Sequence, residues 1–453
     1  MLFKPKNVDM TQGPIGQRLI SYTIPILLGE LFQQFYTMVD SAIVGNYVGR
    51  SALAAVGASE SIVRVLVGFF NGMAVGFTVV IARYYGAKDN ERLNHAVNSV
   101  LQLAFMLGAV MTGAGLLLLR PILRLMNTPE ETFLPAVTYL TIYFSGILGF
   151  VLYNTVAGIL RAIGDVRTPL RCLLISSALN IGLDLLLVLR FNMEVAGVAV
   201  ATISSQWIAT LLGLRILTHR SYGLKVDPLR HHLSADSALL FLRMGVPTGF
   251  QKTITSVSNV LVLSHIVFFG EACLAGWVVY NKLDHILGVF AQSIGSALST
   301  FVSQNLGARQ FKRLERGIRG TLAVGTMMFI AISAVLVFFR SAFVRLFGSD
   351  SETIYYAEQF VLVITFFKLT QLFMNIYAGA LRGTGRMLLV TVIMLGGIVG
   401  FRQLYLAAII HIVNTPWSVG LSYPAGWSFA GLTLFLVYVF KVRREWRSEA
   451  QNS

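Results

Sequence analysis

Long apolar runs separated by short polar segments fill this chain of 453 residues, and its mean hydropathy is +0.69. A bilayer crossing by an α-helix needs about 20 mostly apolar residues, which is the length of these runs. The fold class is therefore an all-α polytopic membrane protein. The pattern predicts twelve transmembrane helices, at residues 19–44, 52–79, 95–119, 133–159, 168–189, 194–217, 238–264, 273–300, 318–339, 354–380, 388–411 and 417–440.

The first apolar run carries an acidic residue, Asp40, near its far end. An aspartate costs roughly 2.5–3.5 kcal/mol or more at the centre of a membrane helix, so its presence there calls for a reason. One interpretation is a functional charge inside the membrane. The other is a residue at the water interface, because Gly45, Asn46 and Gly49 follow closely.

The two halves of the chain repeat each other. The segment RYYGAKDNERL from Arg83 corresponds to QNLGARQFKRL from Gln304, and NTVAGILRAIG from Asn154 corresponds to NIYAGALRGTG from Asn375, each 221 residues later. Chance similarity between apolar helices does not hold polar and glycine matches in one register. The sequence therefore indicates a duplicated unit of six helices.

The repeat defines a domain organisation. We predict an N-terminal lobe at residues 1–217, a cytoplasmic connector at 218–237 and a C-terminal lobe with a short tail at 238–453. Six crossings are an even number, so both copies enter the membrane in the same orientation. The lobes should then be related by a pseudo-two-fold axis along the membrane normal, as in transporters with parallel repeats, and should rock to expose a central cavity alternately.

Lysine and arginine predict the orientation of the helices. They concentrate at both ends of the chain and in alternate connections, which the positive-inside rule assigns to the cytoplasm. Both termini are therefore predicted to be cytoplasmic, in the plasma membrane, which for a bacterium is the inner membrane. The predicted outer segments hold only Arg50, Arg120, Arg124, Arg190, Arg340 and Arg345.

Composition excludes several classes of protein. A chain with 55% hydrophobic and 13% charged residues is not an ordinary soluble protein, and its net charge of +15 follows from topology, so we expect no nucleic-acid partner. Cys172 and Cys273 lack metal-ligand spacing. Because the chain shows no metal cluster, nucleophile elbow or phosphate loop, we expect neither an enzyme nor a cofactor.

The motifs, taken together, resemble those of the multidrug and toxic compound extrusion (MATE) family over nearly the whole length. The resemblance implies a twelve-helix, two-lobe exporter that exchanges Na⁺ or H⁺ for organic, often cationic, compounds. It rests on GPIGQRLISYTIPILLGELFQQFYTMVDSAIVG, RYYGAKDNERL, SQNLGARQFKRL, NTVAGILRAIGDVRTP, NIYAGALRGTGR, LNIGLDLLLV, GVAVATISSQ, LYLAAII and YPAGW.

Polar residues whose repeat counterparts are apolar or aromatic point to a coupling site in the first half. Asp40 falls opposite Leu261 or Val262, and Asp184 falls opposite Tyr405. Two carboxylates, an amide oxygen and a hydroxyl suit a hard monovalent cation, and they equally suit a stored proton. The resemblance assigns the cation or proton site, including a Na⁺ ion as one alternative, to Asp40, Asn180, Asp184 and Thr202, with Tyr139 as a further member.

Substrate contacts are expected on the cavity faces of the first and fourth helices and their counterparts. The predicted cavity residues are Gln33, Gln34, Tyr36, Asn154, Glu30 and Lys252, of which Glu30 and Lys252 occupy matching repeat positions. Several charges of the second half stay without an assigned role: Lys282, Asp284, His285, Lys368 and Arg402. For Lys282, Asp284 and His285 the alternatives are an internally paired cluster, a second relay or a substrate contact.

Two further classes of function are alternatives to a drug antiporter. A flippase for lipids or lipid-linked oligosaccharides would favour a larger basic cavity and extra helices, and a membrane-embedded enzyme would need a catalytic motif. The sequence favours the antiporter, which we expect to act as a monomer in a lipid bilayer on small organic substrates. The pattern leaves open the substrate, the choice of Na⁺ or H⁺, and the resting conformation.

Overall fold

The computed structural model describes residues 8–218, 222–228, 231–347 and 350–451. These residues form helices joined by short connections, and none of them is in a β-strand. Parts of the predicted connector (219–221 and 229–230) and the extreme ends of the chain (1–7 and 452–453) lie outside the described residues.

The first half contains six long helices, two of which continue into a short π-helical turn. These turns follow α1 and α5, at Val44–Val48 and Leu186–Arg190. A π-helical turn frequently marks a functional position in a helix. The helices are α1 (Ile15–Ile43), α2 (Arg50–Gly86), α3 (Asn90–Leu125), α4 (Glu130–Ala162), α5 (Arg167–Leu185) and α6 (Glu194–Leu217).

Three helices of the second half are long, and the later spans are built from several pieces. A bend of 46° separates α11 from α12 at Lys368, and π-helical turns occur at Gly396–Phe401 and Tyr438–Val442. The helices are α7 (Ala235–Val267), α8 (Glu271–Gly307), α9 (Phe311–Phe338), α10 (Arg340–Arg345), α11 (Ser351–Phe367), α12 (Leu369–Gly383), α13 (Met387–Leu395), α14 (Arg402–Ile412), α15 (Pro416–Gly420), α16 (Ser422–Val437) and α17 (Arg443–Gln451).

The twelve predicted spans are confirmed. Among the described residues, nine helical stretches are long and apolar enough to cross a membrane, and the bent pair α11 and α12 makes a tenth. The two remaining long helices are α1 and α7, which contain Pro25 and Pro247. Several boundaries differ from the prediction because polar turns extend the helices. For α3, Asp89 caps the new start by accepting from the backbone N–H of Arg92 at 3.0 Å.

Packing divides the chain into two compact units. Unit 1 comprises residues 1–9 and 28–245, and unit 2 comprises residues 10–27 and 246–453. The division runs through α1 and α7, close to Pro25 and Pro247, where a proline removes a backbone hydrogen bond. The predicted lobe boundaries at residues 217 and 238 stay a prediction, since these units are defined by packing alone.

Each unit contains the first part of a helix that continues in the other. In unit 2, Tyr22 of α1 donates a hydrogen bond from its hydroxyl to Thr300 Oγ1 on α8 at 3.1 Å. In unit 1, Phe241 of α7 packs edge-to-face on Phe77 of α2, with ring centroids 5.6 Å apart. Both helices are thus anchored at their starts by specific side chains.

The described part of the connector is fastened to α3. Asn98 receives a hydrogen bond from the backbone N–H of Asp227 and donates one to Lys225 O, both at 2.8 Å. His231 packs against His95 with ring centroids 4.5 Å apart. Burial, followed by the neighbouring His95 and His232, lowers the pKa of His231, so the neutral imidazole is favoured in this contact.

A hydrophobic core at one end of unit 1 surrounds the ends of α1 and α5. It includes Ile43 and Val44 after Asp40, and Val188 one turn after Asp184. Tyr139 and Tyr143 of α4 and Val198 of α6 belong to the same cluster. The predicted coupling residues are therefore located beside an apolar core, where water is scarce.

Candidate functional site

Two carboxyl groups meet at the ends of two helices of unit 1. Asp40 lies in the last turn of α1, and Asp184 lies in the last turn of α5. The side chains are close enough for their carboxyl groups to interact directly. Asp184 is fully buried, with 0% of its surface exposed, and Asp40 is partly buried. The structure thus brings together the two acids that the sequence selected.

Apart from the contact between the two carboxyl groups, most of their oxygens receive no hydrogen bond from the protein. Both carboxylate oxygens of Asp184, Oδ1 of Asp40 and both side-chain polar atoms of Asn180 are buried with no partner among the other side chains or the backbone. Buried polar groups are nearly always hydrogen-bonded, and an isolated buried carboxylate is very costly. A proton or a cation bound between the carboxyl groups would remove that cost.

Asn180 shares a helix face with Asp184 and faces α6. Ser176, Asn180 and Asp184 are spaced four residues apart and so line one side of α5. At the start of this face, Ser176 Oγ donates to Ser205 O on α6 at 2.9 Å. Because this hydrogen bond turns the face toward α6, the amide of Asn180 is directed to the same helix as Thr202.

Thr202 contributes an acceptor oxygen from α6. Its hydroxyl donates to Val198 O one turn earlier at 2.9 Å, which leaves the oxygen lone pairs available to a cation. Its own carbonyl accepts from Ser205 Oγ at 2.8 Å. Since Ser205 is the residue that Ser176 contacts, Thr202 lies about one turn along α6 from that contact.

Two tyrosines and a glutamate complete the surroundings of Asp40. Tyr139 is 7% exposed, stacks on Tyr143 with ring centroids 6.2 Å apart, and interacts electrostatically with Asp40. Tyr36, predicted for the substrate cavity, is also close enough to interact with Asp40. Glu60 of α2 interacts with both Asp40 and Tyr139 and forms an exposed ion pair with Arg64 at 3.3 Å.

Glu60 is a neighbour of the site that the sequence analysis missed. A usable signal was present, because Glu60 and Arg64 are charged residues inside the second predicted span. Their spacing of four residues allows them to pair on one helix face, which favours the interpretation of a local ion pair over that of a site residue. The structure therefore adds a third acid to the environment of Asp40.

The donor set fits a hard cation or a proton. Carboxylate, amide and hydroxyl oxygens are the ligands that hard cations prefer. No group of three or more His, Cys, Asp or Glu side chains with metal-binding geometry occurs in the part of the chain that the structure describes. The oxygens of Asp40, Asn180, Asp184 and Thr202 are thus of the kind that could hold Na⁺ or a proton.

The predicted cavity residues lie in both units. Glu30, Gln33, Gln34 and Tyr36 follow each other along the unit 1 part of α1, and Gln34 is exposed. Asn154 of α4 donates to Phe150 O at 2.9 Å. In unit 2, Lys252 donates to Gln292 Oε1 at 2.6 Å. The predicted proximity of Glu30 and Lys252, which belong to different units, stays a prediction.

Two charges of the second half form a buried ion pair. The Nζ of Lys368 donates to Asp284 Oδ2 at 2.6 Å and to Gln371 Oε1 at 2.9 Å. Lys282 instead packs over the ring of Phe347, 5.1 Å from its centroid. Asp284 therefore pairs with a residue 84 positions away and outside the cluster of Lys282, Asp284 and His285, whereas internal pairing of that cluster was one of the alternatives.

Arg402 is the second buried cation of unit 2. Its NH1 donates to Asn259 Oδ1 at 2.8 Å, and its NH2 donates to Ser258 Oγ. The guanidinium lies over the ring of Tyr423, 4.7 Å from the centroid. Arg402 is thus held by neutral groups and an aromatic face.

Comparison with known proteins agrees with this arrangement. The family model MatE matches residues 25–186 and 247–404. The probable multidrug resistance protein YoeA of Bacillus subtilis is 31% identical in an alignment of 432 positions that covers 92% of each chain. An FAD transporter of Shewanella oneidensis is 24% identical and covers 78% of this chain and 79% of its own.

Solved structures share the fold. A multidrug resistance MATE family transporter of the MOP superfamily, in an outward-facing conformation, superposes with a TM-score of 0.88 at 21% identity. The match covers 98% of this chain and 99% of that one. The family model, the relative from Bacillus subtilis and the shared fold lead to one conclusion: the chain belongs to the MatE family of multidrug and toxic compound extrusion transporters.

Proposed function

We propose that this protein is a secondary antiporter that exports organic, often cationic, compounds in exchange for Na⁺ or H⁺. The observation that carries the proposal is the contact between the buried carboxyl group of Asp184 and the partly buried carboxyl group of Asp40, where three of the four oxygens have no other protein partner. Within a MatE transporter, such a pair supplies the energy-coupling step that export against a gradient requires.

The charge of the carboxyl pair links ion binding to the positions of the two helix ends. A proton or Na⁺ bound between Asp40 and Asp184 neutralises one of their two negative charges and bridges the carboxyl groups. With the ion lost, two buried negative charges repel, and burying an uncompensated charge costs several kcal/mol. Ion occupancy would therefore decide whether the ends of α1 and α5 stay together.

The path of α1 offers a route for transmitting that change. Asp40 is in the part of α1 that belongs to unit 1, while residues 10–27 of the same helix pack in unit 2. Pro25 lies at this change of unit and weakens the helix there. Movement of the Asp40 end is thus expected to bend α1 near Pro25 and to couple ion binding to the alternating access of the two halves.

Transport into inverted vesicles tests the proposal. The vesicles would contain the protein and receive a fluorescent organic cation, with Na⁺ and pH gradients imposed one at a time. Flavin adenine dinucleotide, the compound named for one relative, would serve as the anionic comparison. We expect uptake of the cation that depends on at least one gradient. Uptake that depends on neither gradient would contradict antiport.

A further inference from the structure

The ion pair of unit 2 holds an ammonium group between a carboxylate and an aromatic ring. Lys368 lies at the bend between α11 and α12, and its Nζ is 2.6 Å from Asp284 Oδ2. The same Nζ lies over the ring of Trp427 of α16, 4.5 Å from the centroid. Gln371 Oε1 accepts a third contact at 2.9 Å. These are the groups with which proteins bind organic ammonium ions.

Further aromatic rings extend this surface. Tyr280 donates from its hydroxyl to Asp284 Oδ1 at 2.7 Å, which fixes the carboxylate. Tyr423 lies next to Trp427, with ring centroids 5.8 Å apart, and Trp277 lies 5.7 Å from Tyr423. A carboxylate held beside several rings provides both charge and apolar contact area for a bulky cation.

The carboxylate is partly accessible at the protein surface, whereas the lysine is not. The side chain of Asp284 is 17% exposed, whereas that of Lys368 is 0% exposed. Along α8, Asp284 belongs to an accessible polar stripe with Asn281, His285 and Gln292, which helical spacing places on one side. An incoming cation could thus contact Asp284 from this stripe without first displacing the protein core.

The corresponding positions of the first half contain no ion pair. The repeat positions 221 residues earlier are Val63 and Ile147, which pack in the hydrophobic core of unit 1. Replacing a buried ion pair by apolar residues is often neutral or stabilising, so a pair kept for stability alone is poorly explained. The same location in the duplicated unit is filled by ordinary apolar packing.

We propose that Asp284 and the ring of Trp427 form a binding subsite for an organic cation, and that the Lys368 ammonium is a tethered occupant which that cation replaces. The inference rests on the proposed function and names a substrate class and site within it. It assigns unit 2 to substrate binding, whereas Asp40 and Asp184 bind the coupling ion in unit 1.

Charge balance determines how the replacement proceeds. The groups facing Lys368 are Asp284 and Tyr280 from α8, Gln371 from α12, and Trp427 from α16, with Arg402 on α14 beyond Tyr423. One carboxylate cannot neutralise both an organic cation and an ammonium. The Nζ–H bond of Lys368 therefore breaks as the cation binds, its electron pair stays on Nζ, and the proton leaves to water by way of Asp284.

The test is equilibrium binding of ethidium, a permanently charged organic cation, to the purified full chain in detergent. An Asp40→Asn/Asp184→Asn background removes protonation of the carboxyl pair from the measurement. We expect about one proton released per ethidium bound, and a Kd that rises about tenfold for each unit by which the pH falls. Calorimetry in buffers of different ionisation enthalpy measures the proton release.

Variants of Lys368 and Asp284, compared with one control, decide the outcome. Lys368→Met should bind ethidium without proton release or pH dependence, and Lys368→Gln repeats this test if the Met variant aggregates. Asp284→Asn should weaken binding at least tenfold. The matched control is Arg443→Met, which removes a cation paired with Glu315 at 3.0 Å elsewhere in unit 2 and should behave as its parent.

The possible failures are distinguishable. Ethidium binding that Lys368→Met leaves unchanged, with the same proton release, would overturn this inference and leave the antiport proposal intact. Gradient-independent transport in vesicles together with proton-releasing binding would overturn the antiport proposal alone. Absence of ethidium binding to the parent and to Lys368→Met would overturn the organic-cation subsite.

Discussion

Buried aspartates in unit 1 are of two kinds, and their hydrogen bonds separate them. Asp165 is 1% exposed and accepts hydrogen bonds from the backbone N–H groups of Arg167 and Thr168 and from the Thr168 hydroxyl. It caps the start of α5 and has the partners that a buried carboxylate needs. Asp184, at the other end of α5, has no such donors. The contrast supports a structural role for Asp165 and a functional role for Asp184.

The hydroxyl of Tyr139 is predicted to act on the carboxyl pair. Tyr139→Phe keeps the ring that stacks on Tyr143 and removes only the hydroxyl near Asp40. We predict that the hydroxyl forms a hydrogen bond to the pair in the ion-bound state; such a bond to a charged group is worth about 1.5–3 kcal/mol, so half-maximal transport should need roughly ten- to hundredfold more coupling ion. Proteoliposome transport measured against ion concentration checks this, with Tyr143→Phe as the control. Equal ion dependence in the two variants would contradict the role of Tyr139.

Individual site residues could be predicted from the sequence more reliably than the contacts between them. Asp40, Asn180 and Asp184 were identifiable because polar residues stand out in apolar runs and lack polar repeat counterparts. Contacts across the fold were not identifiable in this way. Lys368 and Asp284 come from different helices, and their pairing depends on the bend between α11 and α12.

At the level of helices, the apolar pattern correctly predicted that the membrane helices exist. It did not predict where these helices are interrupted. Hydropathy averages over a window, so it does not detect a 46° bend at Lys368 or a π-helical turn such as Leu186–Arg190. These irregularities depend on how neighbouring helices satisfy the backbone. They occur close to the charged sites, after Asp184 and at Lys368.

Close packing of α2 against the start of α7 depends on a glycine. A Cβ built on Gly76 would lie 2.4 Å from the carbonyl carbon and oxygen of Met244, so Gly76→Ala forces the two backbones apart. Such overpacking costs about 1–3 kcal/mol and should lower the thermal unfolding midpoint of the purified protein. Gly57→Ala, on the same helix with nothing within 4 Å, is the control. Equal midpoints for the two variants would show that this contact does not constrain the helices.

At the scale of the whole molecule, a duplicated fold carries two different charged sites. Unit 1 holds a carboxyl pair without donors, and unit 2 holds a lysine paired with an aspartate. The repeat was visible in the sequence as matched loops, and the unlike sites were visible only as unmatched residues. The path of α1 and α7 through both units was not predictable, because it depends on packing on either side of Pro25 and Pro247.

The central claim is that the carboxyl pair of unit 1 drives export. Its most direct test compares gradient-driven export of a fluorescent organic cation by purified protein in proteoliposomes, for the parent chain, Asp184→Asn and Asp350→Asn. Asp350 caps α11 by accepting from the Thr353 N–H at 2.9 Å and serves as a matched Asp→Asn control outside the site. We predict that Asp184→Asn, correctly folded, loses gradient-driven export while Asp350→Asn retains it. Full export by Asp184→Asn would contradict the claim.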